Sequence, residues 1–187
     1  MGSHIDAFFP HAVARSANAV RARLDAAVSE LWPELALIRE RERFSPGSGD
    51  WSLWSDEGTI TGEGPSGLSI SVHSTVAELT SVEHFGAVQW PDQGIHGALR
   101  RVFEGVAAAF GAAGRLAVAS GGYGGTDRAA DLALAGAGFA EVCGCLEAVA
   151  GPPARSWAVL EAGKCGWYLS APGAAADGGD TTAFPGS

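Results

Sequence analysis

The stretch Arg115–Leu132, "RLAVASGGYGGTDRAADL", runs from an apolar strand through a glycine turn into an acid-tipped helix start, and its reading decides the fold. The residues before it support that reading. From Gly97 onward, Leu99, Val102, Phe103, Val106 and Phe110 recur at helical spacing, with Gly111 and Gly114 as terminators. A strand, a helix of about fifteen residues and a second strand form the pattern of a parallel crossover, so a mixed sheet is expected. A further helix is expected from Asp127 to Ala137. Thr126 or Asp127 serves as its N-cap, because a short polar side chain there accepts a bond from an otherwise unpaired amide.

A glycine turn at a helix start also has the geometry to cradle a phosphate. "GGYGGTD" is not G-x-G-x-x-G, however, and it lacks the Lys-Ser or Lys-Thr pair that would neutralise a nucleotide. Asp127 adds repulsion. The turn is therefore read as a turn and a cap.

Working outward, the apolar residues Val13, Ala17, Val20, Leu24, Ala27, Val28 and Leu31 mark one stripe of an amphipathic helix within His11–Arg43. Pro33 should break or kink it near Trp32, with the pattern resuming through Leu35 and Ile38. After the loop "SPGSGD" the chain turns to short β-type runs. Leu68, Ile70 and Val72 alternate with Ser69, Ser71 and His73, while "WSLWS" and "GTITG" should pair beside them as a meander. A fourth strand is expected in "VEHFGAVQW". Beyond the crossover, "GFAEVCGCLEAVAGPP" reads as a helix on the face of Phe139, Val142, Cys143, Leu146 and Val149, ended by "GPP". "ARSWAVLEA" suggests one more short helix, and "CGWYLS" a final strand. The expected fold is one α/β (or α+β) domain: a mixed twisted sheet with an N-terminal amphipathic helix and several C-terminal helices packed on it. Residues 1–10 are expected to be a flexible N-terminus, 11–170 the globular domain and 171–187 a disordered low-complexity tail.

The 187 residues are 47% hydrophobic, enough for one ordinary core, and carry a formal net charge of -9, with Lys164 the only lysine. A phosphate backbone would meet a repelling field, so no nucleic-acid partner is expected. No apolar run approaches a membrane span, and the amino end lacks the pattern of a secretory signal. Three cysteines, Cys143, Cys145 and Cys165, cannot pair completely, which points to a reducing, cytoplasmic setting. On a helix Cys143 and Cys145 diverge, and His73, His84 and His96, with Glu78, Glu83 and Asp92 among them, have no metal-ligand spacing, so no metal is expected. There is no G-x-S-x-G elbow, and Asp56 and Glu57 read as solvated turn charges.

Two functional readings remain. "DWSLWSDE" places Trp51 and Leu53 on one side of a strand and Trp54 on the other, so one indole is a candidate for exposure, ringed by acids. The leading expectation is a non-enzymatic intracellular protein-binding module with no catalytic residue and no cofactor. Its partner is a basic protein, met by Trp51, Trp54, Asp56, Glu57, Trp90 and Asp92. In size and charge alone the chain resembles small bacterial immunity and antitoxin proteins. The alternative comes from Gln93 to Phe139, which resembles the acyl-CoA-binding half of the N-acetyltransferase superfamily in Gln93, Gly94 and Gly97 and in Asp127, Ala130, Gly138 and Phe139. His96 stands at that motif's first glycine, and Leu134 replaces its common tyrosine acid. The resemblance implies an acyl-CoA-dependent N-acetyltransferase-like enzyme whose pyrophosphate loop, Gln93 to Gly97, is degenerate, and a splay between the strand before Gln93 and its neighbour.

Overall fold

In "HIDAFFP" Ile5, Ala7 and Phe9 alternate with Phe8, and all four are buried, which is what a strand covered on both faces requires. The computed structural model of the chain describes residues 4–41, 50–81, 93–121, 125–155 and 166–170. In it His4–Pro10 is β1, and it lies inside a seven-stranded sheet. The expected flexible N-terminus is thus corrected from His4 onward. Ladders on both sides hold this segment, with Ala7 opposite Leu79 on one and Val118 on the other.

The chain continues through α1 (Ala17–Glu30), α2 (Trp32–Arg41), β2 (Ser52–Asp56), β3 (Thr59–Glu63), β4 (Leu68–Val72) and β5 (Val76–Ser81). There follow α3 (Gln93–Ala109), β6 (Leu116–Gly121), α4 (Gly125–Leu134), α5 (Phe139–Ala150) and β7 (Gly166–Ser170). The strand order is β2-β3-β4-β5-β1-β6-β7, and every ladder is antiparallel. The α/β class with helices packed on the sheet is as expected; what is corrected is the strand pairing, expected to be mixed and found antiparallel throughout. β5 and β6 do run the same way with α3 between them in sequence, so the crossover exists. β1 occupies the place between them, and the parallel pair never forms.

Local chemistry explains the boundaries. α1 starts at Ala17 because the Ser16 hydroxyl accepts from the Ala19 amide at 3.3 Å. The amphipathic stripe breaks at Leu31, as expected, and α2 restarts with Pro33 in its first turn, where a missing amide hydrogen costs nothing. The β2–β3 turn places Glu57 (φ 44°) and Gly58 (φ 85°) in the left-handed region that a two-residue hairpin turn demands, and so fixes Asp56 opposite Thr59. The strand after β4 is β5; the segment 82–90, where a fourth strand was expected, lies outside the described residues. So do most of "ARSWAVLEA" and the 171–187 tail. α5 is a helix, closed at its start by the Gly138 amide donating to Glu141 Oε2 at 2.8 Å. Among the described residues no helix is long and apolar enough to cross a membrane.

Two cores result. α1, α2 and α3 bury Val20, Leu24, Ile38, Leu99 and Phe103 against Ile5, Ala7, Phe9, Ile70 and Leu79 of the sheet. On the other face α4 and α5 bury Ala129, Ala133, Val142 and Leu146 against Phe8, Val76, Ala117 and Trp167. These two helices pack on β1, β5, β6 and β7; their core takes in no described residue of β2, β3 or β4, and on that second face Ser52, Trp54, Asp56 and Glu63 are exposed. Phe8→Ala and Phe9→Ala should therefore each cost about 3–5 kcal/mol, read from urea midpoints, because each empties a different core. A near-zero cost for either would contradict the central placement of β1.

Candidate functional site

Register, rather than sequence proximity, assembles the uncovered face. Trp54 lies opposite Thr61, Thr61 opposite Ser71, Ser71 opposite Glu78, and Glu78 opposite the buried Phe8. The next row reads Ser52, Glu63, Ser69, Thr80 and Asp6. Of the large apolar side chains described on β2, β3 and β4, Trp54 alone stands on this face, and it is 44% exposed. Asp56 and Glu57 are exposed at the hairpin beside it. Between Arg43 and Arg100 the chain has no lysine or arginine, yet it carries Asp50, Asp56, Glu57, Glu63, Glu78, Glu83 and Asp92. The meander's own side chains are thus anionic, while two arginines from outside it reach its backbone, Arg15 donating to the Gly58 carbonyl at 3.1 Å and Arg21 to the Trp51 carbonyl at 2.9 Å.

Where the helix layer ends, the face holds a titratable cluster. Asp6, only 2% exposed, accepts from the Thr80 hydroxyl at 2.9 Å, and His4 Nε2 lies 3.2 Å from its other oxygen. The same His4 nitrogen is 3.1 Å from Thr126 Oγ1 at the start of α4. Its hydrogen bond to Asp6 raises the His4 pKa above the ordinary imidazole value; burial opposes this, and the charges of Asp6, Asp127 and Glu78 add to it. His73 is buried, with Nδ1 3.4 Å from Thr59 Oγ1 and Nε2 3.9 Å from Glu78 Oε2. Burial pushes the Glu78 carboxyl up, against the pull of His73. Behind them His11, whose Nε2 lies 3.1 Å from the His73 carbonyl, is lowered by burial.

This arrangement pins β1 to α4 and does not activate a nucleophile. Both Asp6 and Thr126 meet the same nitrogen of His4, and one nitrogen cannot hold a proton toward a carboxylate while taking another from a hydroxyl. Among the described residues no group of three or more His, Cys, Asp or Glu is placed to hold a metal ion. Cys143 is a partly buried thiol, pushed up to about 11 by burial.

The expected site residues divide. Trp54, Asp56 and Glu57 come together at the edge hairpin. Trp51 is removed from the surface patch: it is 3% exposed in the first core, and Gly64 lies so close that an added Cβ would stand 2.6 Å from the indole. Trp90 and Asp92 lie outside the described residues. Gln93, Gly94 and Gly97 belong to α3 itself, where the acetyltransferase resemblance implies a loop, and the strand expected just before them, with its splay, lies outside the described residues. α4 begins at Gly125, so Thr126 sits inside the first turn and not at the N-cap, its hydroxyl turned to His4. His4, Asp6 and Thr80 had no part in the sequence reading. The available signal was Asp6, a charge embedded among apolar residues in "HIDAFFP". Comparison of the chain with protein-family models, with curated proteins and with solved structures found no match.

The His4–Asp6 contact carries a pH signature. A histidine whose folded pKa is raised contributes stability that is complete below its unfolded value of about 6.5 and is lost as pH rises through the folded value. The stability advantage of the wild type over His4→Gln should accordingly be larger at about pH 5.5 than at about pH 8.5, by chemical denaturation. An equal or reversed advantage would remove the pair from the account.

Proposed function

We propose that this protein is a non-enzymatic intracellular binding module that receives a basic protein partner on the uncovered face of its meander, with Trp54 as the anchor. The observation that carries this reading is the exposed Trp54 indole, standing among hydroxyls and carboxylates on the face that the α4–α5 core does not reach among the described residues. A monomer gains nothing by leaving that indole in water. A partner that covers it removes a large apolar area from solvent, the usual composition of an interface hot spot.

Electrostatics choose the partner's sign. The cation-free run from Arg43 to Arg100 supplies most of the net charge of -9, so an approaching basic surface is attracted and an anionic one repelled. The same field disfavours a coenzyme diphosphate at the start of α3. Asp56, Glu57 and Glu63 form the rim around Trp54, while Thr61 and Ser71 offer hydroxyls to a partner's backbone.

A fluorescently labelled arginine-rich peptide is the probe, read by anisotropy. Trp54→Ala should weaken its binding at least about tenfold. Raising salt from about 50 mM to about 500 mM should weaken it strongly, because screening removes the long-range attraction. Affinity indifferent to salt, or unchanged in Trp54→Ala, would defeat the proposal, as would a rise of several degrees in melting temperature with millimolar acetyl-CoA.

A further inference from the structure

We propose that Glu78, backed by His73, is the seat for a single guanidinium group of that basic partner. The proposal deepens the protein-binding reading and rests on it. Glu78 stands at the step where the helix layer stops: Phe8, its neighbour in the row, is fully buried under α4 and α5, whereas Ser71 on its other side is partly open. The Glu78 side chain is 15% exposed, so it is mostly buried and still reached by solvent.

The unmet bond lies on the protein side. His73 is 6% exposed and among the described residues its Nε2 has no hydrogen-bond partner, lying 3.9 Å from Glu78 Oε2, too far for a bond. A buried imidazole nitrogen left open beside a mostly buried carboxylate is a costly arrangement, and such arrangements gather at binding sites. Among the described residues the charges that act on Glu78 are those of Asp6, His73 and His4, none of them a lysine or arginine. Asp6 is already engaged by Thr80 and His4, so Glu78 is the carboxylate left for an incoming cation.

Guanidinium fits this step better than ammonium. It is more weakly hydrated, so it loses less on entering a mostly buried position, and its planar set of N–H donors matches a carboxylate with hydroxyl-bearing neighbours, here Ser71 opposite it and Thr80 two residues on. Binding holds Glu78 ionised and draws its inner oxygen toward His73 Nε2. Trp54 and Glu78 lie in one row three strand spacings apart, about 14 Å at the usual interstrand distance. The partner should therefore present an apolar group and an arginine separated by roughly that span.

N-acetyl-arginine methylamide is the probe, titrated into the full-length protein while the Glu78 carboxyl and His73 ring are followed by NMR. Saturable shifts at both groups are expected, with the Glu78 titration midpoint falling on addition of the probe. The neutral citrulline analogue should give no such shifts, and the lysine analogue should bind several-fold more weakly. Glu78→Gln should abolish the shift at His73, and Trp54→Ala should retain it. Equal shifts with citrulline, an unchanged Glu78 midpoint in the wild type, or a persistent His73 shift in Glu78→Gln would each overturn the seat. The midpoint measurement needs no variant, so a misfolded Glu78→Gln leaves the test intact. Arginine binding at Glu78 with peptide affinity unaltered by Trp54→Ala would instead strike the anchor reading alone.

Discussion

Everything in this molecule hangs on β1 pairing along both of its edges. A strand at the middle of a sheet must satisfy two ladders and two cores at once, and "HIDAFFP" meets both demands with seven residues. Phe9 enters the core under α1, α2 and α3, while Phe8 enters the core under α4 and α5. The insertion separates β5 from β6 and makes the sheet antiparallel throughout, although a helix crossover joins those two strands. Without β1, neither helix layer would have a common floor.

The same placement creates the functional surface. Because α4 and α5 gather over β1, β5, β6 and β7, their core leaves one face of the meander strands β2 to β4 outside it among the described residues. Antiparallel sheets tolerate this when that face is polar, and here it is, with hydroxyls and acids in every position but Trp54. At the boundary between covered and uncovered halves, the alternation of β1 puts Asp6 on the polar side, where His4, Thr80 and Thr126 compensate a charge that would otherwise be costly to bury. Glu78 lies diagonally across from Asp6 and among the described residues has no comparable set of donors. Fold and site are two consequences of one strand.

Much of this could be read from the chain. Helical spacing located α1, α3 and α5, the proline at position 33 located the break between α1 and α2, and strict alternation in "GLSISVH" gave the correct buried face of β4. The alternation of "WSLW" put the two indoles on opposite sides of the strand but did not say which is buried: Trp51, read as part of the surface patch, is in the core, and Trp54 is the exposed one. What periodicity does not carry is partnership between distant strands. A crossover pattern reports the direction of β5 and β6 but is silent about a strand inserted between them. A short apolar segment at the chain start, broken by Asp6, looks too small to anchor a sheet until its two ladders are known. The polar cluster is hidden for the same reason, since His4 and Thr126 are 122 residues apart and meet only through register.

The most direct test of the central claim is amide hydrogen exchange along β1. If this strand is the spine of the sheet, the amides of Ile5 to Phe9 that donate to the β5 and β6 ladders exchange only through global unfolding, with the same free energy as those of β6. Exchange of those amides within seconds, as a frayed chain end would show, would contradict the account.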